Sequence, residues 1–229
     1  MPRPLSPESG NIFVIIFIAI ILIALLTVAV RGTSSGRNSI SQEELKVQVA
    51  EVIRYGAELE NGVHQVLQNG ASETEIRFAH ADAPAEYGVI TTTPTFQVFS
   101  QSGGNATYRT APANILESGT GQWEFYGTTN IPQVGSDKAE LIAVLPHVTA
   151  DFCAQINKDL GLTGQPNDNT TGTTPDCVQG AAINRFGAGA GFMSPANNLD
   201  STTFSHLPAT SACVTCGTDY HYYQVLLTR

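Results

Sequence analysis

The four cysteines are the residues whose type and spacing most directly suggest chemistry in this 229-residue sequence. Cys153, Cys177, Cys213 and Cys216 all lie in its C-terminal third. An even number of cysteines behind an apolar N-terminal segment predicts two disulfide bonds, formed in an oxidising compartment. Of the three pairings that four cysteines allow, we expect Cys153 with Cys177 and Cys213 with Cys216.

Two other interpretations of the Cys-x-x-Cys pair are a zinc site and a redox-active dithiol. Two thiolates at this spacing can share one zinc ion, and His206 and His221 are near in sequence. The sequence contains neither a second Cys-x-x-Cys nor a His-x-x-x-His pair. Nothing around CVTC resembles the strand-to-helix setting that lowers the pKa of a redox thiol. Disulfides are therefore the favoured prediction.

The polar stretch PNDNTTGTTPD offers oxygen atoms that a calcium ion could use. Its candidate ligands are Asp168, Asn169 and Asp176. Calcium binds hard oxygen ligands in loops, but this spacing is not that of an EF-hand. The favoured interpretation is a solvated polar loop.

The sequence contains neither the HExxH motif of zinc enzymes nor the GxxxxGK motif of a phosphate-binding loop. The glycine-rich GAGAGF at residues 187–192 lacks the lysine of a phosphate-binding loop and follows no clear strand. The five histidines are scattered, and scattered histidines are more often surface or core residues than ligands or bases. We expect no catalytic site, no cofactor and no metal ion.

The charge balance argues against a nucleic-acid partner. The formal net charge is −9, and charged residues make up only 14% of the chain. Residues 1–37 carry three arginines and one glutamate, so the acidic excess lies in the rest of the chain. This composition is typical of an extracytoplasmic, β-rich protein rather than a nucleic-acid-binding one.

Residues 12–30 form an apolar segment of helix-forming length. Thr27 is its only conventional polar residue, and 19 residues of helix at 1.5 Å each span about 28 Å, close to the thickness of a bilayer core. The segment is longer than the apolar core of a cleaved signal peptide. It predicts a single inner-membrane span. The cysteines favour an extracytoplasmic C-terminal domain and a cytoplasmic N-terminus, although the arginines on the two sides do not fix that orientation.

A glycine- and serine-rich stretch, residues 31–40, predicts a flexible joint before a second helical segment. Ser41 and Glu44 have the spacing of a capping box, so we expect an amphipathic helix over 41–70. An apolar seam with alternating spacings of four and three residues follows this helix. The seam comprises Leu45, Val49, Val52, Gly56, Leu59, Val63 and Val66. It either covers the protein's own sheet or also contacts neighbouring copies.

From residue 71 onwards, the hydrophobic period changes from 3.6 to two. Alternating stretches at 75–79, 95–99 and 122–126, the apolar run ELIAVLP and the aromatic C-terminal tail predict strands. A short helix is expected from about Thr149 to Leu160. The predicted fold is α+β: a long N-terminal helix, half membrane-spanning and half amphipathic, packed on a mostly antiparallel sheet with a short second helix.

This layout resembles the type IV pilin and pseudopilin family, and the resemblance covers the whole chain. In that family, a short leader ending in glycine is removed by a prepilin peptidase, and the apolar helix packs in the centre of a filament. Here, SPESG followed by NIFVIIF resembles such a leader and places the cut between Gly10 and Asn11. The family usually has an aromatic residue or methionine first and a glutamate fifth after the cut. This sequence has Asn11 and Ile15, as in a minor or divergent member.

The resemblance implies a domain order and a structural role. The order is a leader (1–10), a filament-core helix (11–30), a joint (31–40), an amphipathic helix (41–70) and a β-rich extracytoplasmic domain (71–229). The expected function is that of a filament subunit that assembles through its apolar helix, with copies of itself or related pilins and the inner membrane as partners. The alternative is a membrane-anchored binding or adhesion module that never polymerises. An anchored enzyme is less favoured.

Overall fold

In the part of the chain that the structure describes, the regular structure consists of two α-helices, several short 3₁₀ helices and a five-stranded sheet. The computed structural model describes residues 16, 20, 34–168, 177–188, 190–194 and 197–229. In chain order, the elements are α1 (Ser34–Gln68), β1 (Glu124–Asn130), β2 (Glu140–Leu145), α2 (Ala150–Asp159), β3 (Asn197–Asn198), β4 (Ser211–Cys216) and β5 (Asp219–Leu227). The chain divides into two units, Met1–Glu44 and Leu45–Arg229, and the sheet belongs to the second.

The fold prediction is wrong about a membrane-spanning half of the N-terminal helix. Among the described residues, no helix is both long enough and apolar enough to cross a bilayer. The residues described within the apolar segment 12–30 are Ile16 and Ile20, which are helical and exposed. The rest of that segment lies outside the described residues. Helix α1 carries charged side chains such as Glu43 and Lys46, which a bilayer core disfavours.

The predicted joint at 31–40 is also wrong where the structure describes it, because residues 34–40 are helical. Helix α1 therefore does not begin at Ser41. Serine and glycine disfavour a helix by only about 0.5–1 kcal/mol each. Extending a helix that has already nucleated adds one hydrogen bond for each residue ordered, and this gain can outweigh a weak local preference.

The sheet is mixed, with strand order β3-β1-β2-β5-β4. Strands β1, β2, β5 and β4 pair antiparallel, whereas β3 pairs parallel with β1 through Thr129↔Asn197 and Asn130↔Asn198. The short strand β3 follows a long stretch of chain that lies outside the sheet. A strand of two residues is too short for an alternating sequence pattern to predict it. The C-terminal strand β5 lies between β2 and β4, as expected for a strand with two apolar faces.

Two of the predicted strands are instead irregular segments. Residues 75–79 and 95–99 meet in one isolated parallel bridge, Arg77↔Gln97, between short 3₁₀ turns. Ile76 and Phe78 are nevertheless fully buried. The alternating pattern therefore reports which side chains face the core, but not whether the backbone joins a sheet.

Each face of the sheet covers its own apolar core. Helix α1 packs on one face with Phe125, Ala143 and Tyr222, while Tyr126 and Tyr223 belong to the opposite, α1-distal face. Because side chains alternate along a strand, neighbouring residues serve different cores. Thr149, the predicted start of α2, is its N-cap, and its hydroxyl accepts a hydrogen bond from the backbone N–H of Phe152 at 3.3 Å.

Candidate functional site

The apolar seam of α1 is occupied by the protein's own core. Leu45 is half-buried, whereas Val49, Val52, Leu59, Val63 and Val66 are buried. A Cβ atom placed on Gly56 would lie 3.1 Å from Cγ of Gln224 on β5, so the missing side chain lets this strand approach the helix. The seam therefore holds the helix on the sheet.

The disulfide pairing differs from the one expected. Cys153 pairs with Cys213 and Cys177 pairs with Cys216, with Cα separations of 5.2 and 5.9 Å. The predicted Cys213–Cys216 bond is wrong because both residues lie on β4. Residues three apart on a strand point to opposite faces, and their Cα atoms are about 10 Å apart, beyond the reach of a disulfide.

The pairing removes the zinc and redox alternatives at the Cys-x-x-Cys pair, since all four cysteines are in disulfides and none is free to act as a thiolate. His206 is exposed, whereas His221 is buried on β5 and its Nδ1 accepts a hydrogen bond from the backbone N–H of His147 at 3.2 Å. Burial and the neighbouring His147 lower the pKa of His221 to about 4.

The outer edge of β4 is covered by the segment that the disulfides hold. The backbone N–H of Thr215 donates to the carbonyl of Pro166 at 2.8 Å, and the N–H of Asp168 donates to the carbonyl of Thr215 at 2.8 Å. Asn157 from α2 bonds both backbone groups of Cys213. An exposed strand edge is a template for pairing with another chain, and here its outward groups are already used.

A charged network connects β1 to the segment that contains Arg185. Its guanidinium pairs with the carboxylate of Glu124 and, at 2.9 Å, with that of Glu86. The hydroxyl of Tyr126 donates to Glu124 at 2.7 Å, and Gln179 donates to the same carboxylate at 3.2 Å. The half-buried Arg185 thus pairs with two carboxylates, and the buried Glu124 accepts hydrogen bonds from two further side chains. These contacts hold residues 179–185 against the sheet.

The calcium candidates of the polar loop are only partly described. Asn169 and Asp176 lie outside the described residues. Asp168 is fully buried, and its carboxylate accepts hydrogen bonds from the backbone N–H of Val178 and, at 2.9 Å, from Nδ2 of Asn197. Asp168 is therefore part of the folded interior rather than a solvated loop residue. Among the described residues, no group of three or more His, Cys, Asp or Glu side chains could hold a metal ion.

A row of three buried polar residues crosses the α1-distal face, and we call it the oxygen row. Asn197 on β3 is opposite Thr129 on β1, which is opposite Glu140 on β2. The exposed fractions are 2%, 0% and 0%. Burial raises the pKa of Glu140 to about 7, although its carboxylate accepts a hydrogen bond from the backbone N–H of Ile131 at 2.8 Å.

Sequence reasoning missed the oxygen row because its members are far apart in the chain. One signal was available within the strand ELIAVL. Glu140 alternates with Ile142 and Val144, so a carboxylate shares a face with two core residues. A charge at such a position predicts a buried polar site.

A groove lies beside α1, and aromatic side chains form part of its lining. Its volume is about 170 Å³, and its lining includes Tyr55, Arg109 and Trp123. Arg109 is engaged there, with Nη2 at 2.8 Å from the carboxylate of Glu58 and its guanidinium 5.4 Å from the Tyr55 ring centre. Burial raises the pKa of Tyr55, so its hydroxyl stays protonated and donates or accepts hydrogen bonds rather than acting as a base.

The predicted processing residues Gly10 and Asn11 lie outside the described residues. Neither a protein-family profile, nor a curated protein, nor a solved structure matches this chain.

Proposed function

We propose that this chain is a pilin-like structural subunit of a filament outside the cytoplasm. Assembly would use the apolar segment 12–30, and the subunit's partners would be copies of itself or related pilins. The observation that supports this proposal most directly is the order of the chain. A 19-residue apolar segment precedes a long helix whose seam is already buried on its own sheet. The apolar segment is thus a candidate assembly surface distinct from the packed seam.

The covered edge of β4 supports assembly through the N-terminal segment rather than through that edge of the sheet. Strand addition requires unpaired backbone groups, and the outward groups of Cys213 and Thr215 on β4 already have partners within the chain. At about 25 cal/mol for each Å² of apolar surface removed from water, an apolar helix packed among like helices supplies a large association energy.

The two disulfides support a location where thiols are oxidised. Such bonds persist in exported proteins and are rare in the cytosol. They also suit a filament subunit mechanically, because they hold the chain on either side of residues 169–176 to the sheet edge. The function proposed is therefore structural or adhesive rather than catalytic.

The test is to shear surface material from cells that express the full chain and to look for labelled filaments by electron microscopy. We expect the native chain to be found in regular filaments. Substitution Ile20→Asp should abolish them, because it puts a charge into the apolar segment. The matched control is Val89→Asp, which changes an exposed apolar residue of the β-rich domain and should leave filaments intact.

A second measurement separates failed assembly from failed export. Non-reducing electrophoresis of the Ile20→Asp protein reports whether its disulfides form, and thus whether the domain reaches an oxidising compartment. Oxidised Ile20→Asp protein without filaments supports the proposal. Native protein that stays monodisperse, with no filaments in the sheared fraction, contradicts it and favours the non-polymerising binding or adhesion module.

A further inference from the structure

The oxygen row contains one unpartnered oxygen atom on each of its three residues. Oγ1 of Thr129, Oε1 of Glu140 and Oδ1 of Asn197 are buried and have no hydrogen-bond partner among the described residues. A buried polar atom left without a partner is unfavourable, because it has lost its hydrogen bonds to water. Three such atoms on adjacent positions of one sheet face indicate that something polar binds between them.

The spacing of the row suits ligands of one ion. Directly opposite residues on antiparallel strands, such as Thr129 and Glu140, have Cβ atoms about 4.5–5.5 Å apart on the same face. Calcium binds oxygen at about 2.3–2.6 Å, so the oxygen atoms around one ion are separated by comparable distances. Thr129, in the centre of the row, is flanked by Asn197 on one side and Glu140 on the other. A hydroxyl, an amide oxygen and a carboxylate can therefore converge on one point.

A second carboxylate adjoins the row. Nδ2 of Asn197 donates to Oδ1 of Asp168 at 2.9 Å, which places the buried Asp168 at one end. The carboxylates of Asp168 and Glu140 both contribute to raising the pKa of the buried Tyr223, after the larger effect of burial. The phenol of Tyr223 thus lies within electrostatic range of both negative groups.

The charge of Glu140 has no close positive partner among the described salt bridges. Arg229 is in electrostatic range and opposes the rise in the pKa of Glu140. Its own contacts are elsewhere, however, with Nε at 3.1 Å from the carboxylate of Glu73 and the guanidinium 3.9 Å from the Phe192 ring centre. A fully buried carboxylate without a counter-charge is unfavourable, and a bound cation would remove that cost.

We propose that the oxygen row binds a calcium ion, with Asp168 holding Nδ2 of Asn197 so that Oδ1 of Asn197 stays available. Glu140 supplies a negatively charged ligand, the carboxylate of Asp168 adds a second negative charge nearby, and the neutral oxygens of Thr129 and Asn197 are hard ligands. Magnesium demands near-ideal octahedral geometry and retains its waters, and zinc prefers nitrogen and sulfur, so calcium suits an irregular oxygen cluster best. The site ties β3 and the Asp168 segment to β1 and β2, and it does not depend on filament assembly.

Terbium luminescence is the direct test, because a lanthanide in a calcium site is excited by a nearby tyrosine such as Tyr223. The full chain, first stripped with a chelator, should show saturable terbium emission that calcium displaces and magnesium does not. Calcium should also raise the midpoint of thermal unfolding by about 5–10 °C when it is 100-fold above its dissociation constant.

Two variants and a control localise the effect. Glu140→Gln removes a ligand charge, and Thr129→Val removes one oxygen while keeping the shape. Each should weaken calcium binding at least tenfold. The control is Asp82→Asn, which changes an exposed carboxylate away from the row and should bind calcium like the native chain. Circular dichroism establishes that each variant is folded before it is titrated.

Other outcomes overturn the proposal. Native protein that shows neither terbium emission nor a calcium-dependent midpoint has no site in the row. Equal calcium responses in the native, Glu140→Gln and Thr129→Val proteins would mean that ions bind the acidic surface instead.

Discussion

The side-chain amide of Asn157 on α2 pairs with both backbone groups of Cys213 on β4. Nδ2 donates to the Cys213 carbonyl at 2.8 Å, and Oδ1 accepts from its N–H at 2.7 Å. Cys153, one helical turn before Asn157, forms its disulfide with the same Cys213. Two residues on one face of α2 therefore hold one residue of an edge strand, by a covalent bond and by two hydrogen bonds.

Replacing Asn157 tests whether this amide closes the sheet edge. Asn157→Ala leaves the N–H and C=O of Cys213 without their side-chain partner in a fully buried site. We expect the free energy of unfolding to fall by about 2–4 kcal/mol, as measured by denaturant titration with the disulfides intact. The control on the same helix is Gln155→Ala, which removes only an exposed hydrogen bond to Asp159. Equal small effects of both substitutions would contradict the role of Asn157.

The disulfide pairing can be tested by digestion with trypsin without reduction. Cleavage after lysine and arginine gives fragments 139–158, 159–185 and 186–229, and the last holds both Cys213 and Cys216. The observed pairing predicts one species in which all three fragments are joined. The pairing expected from sequence would instead leave 186–229 free. Mass spectrometry of the digest distinguishes them.

A single substitution resolves the remaining pairing. In Cys213→Ser protein, fragment 139–158 should be released while 159–185 stays joined to 186–229, because Cys153 loses its partner. Release of 159–185 instead would show that Cys177 pairs with Cys213. Closing a 60-residue separation in the unfolded chain contributes about 4 kcal/mol in the chain-entropy description, so this variant should also unfold at lower denaturant.

Sequence reasoning was most informative where periodicity directly reports burial. The 3.6-residue period identified the buried positions of α1 from Val49 to Val66, and the apolar run ELIAVL corresponds to the buried β2. These patterns need no knowledge of distant residues. They also indicated inward-facing side chains at Ile76 and Phe78, although the backbone there is not a strand.

The features that sequence reasoning missed depend on residues brought together from distant parts of the chain. The disulfide partners depend on α2 packing beside β4, and the oxygen row depends on β3 joining β1 in parallel. Neither arrangement has a local sequence period. The helical residues 34–40 illustrate the opposite error, in which a weak local preference is given more weight than the cooperativity of a long helix.

Buried His221 predicts an acid-sensitive step in stability. Its pKa in the folded protein, about 4, is below the unfolded value of about 6.5, so the unfolded state binds the proton more tightly. The stabilisation from keeping this ring neutral is complete above pH 6.5 and is lost as the pH falls towards 4. Between pH 7.5 and 5, we expect a loss of about 2 kcal/mol from this group, measured by denaturant titration.

The comparison that isolates this histidine uses His221→Gln, whose side-chain oxygen can still accept the hydrogen bond from the N–H of His147. The variant should lose less stability than the native protein over the same pH range. The exposed His206→Gln is the matched control and should keep the native slope. An unchanged slope in His221→Gln would show that other groups cause the acid sensitivity.

Gly104 has no room for a side chain where residues 98–104 contact α1, although its φ angle is not positive. A Cβ at Gly104 would lie 2.5 Å from the carbonyl oxygen of Gly62 on α1 and 2.6 Å from that of Val98. Both obstacles are backbone atoms, so neither can rotate away as a flexible side chain would. Gly104→Ala should therefore force the loop off the helix and lower the free energy of unfolding by about 2–3 kcal/mol.

Gly191→Ala is the matched control for this substitution. A Cβ at Gly191 would have no atom within 4 Å, and its φ angle is not positive, so alanine should be neutral or slightly stabilising there. The measurement is the midpoint of thermal unfolding, and a loss of 2–3 kcal/mol corresponds to a decrease of about 5–10 °C for a chain of this length. If Gly104→Ala unfolds at the same temperature as Gly191→Ala, α1 and the loop are not in backbone contact, and the helix is held by its apolar seam alone.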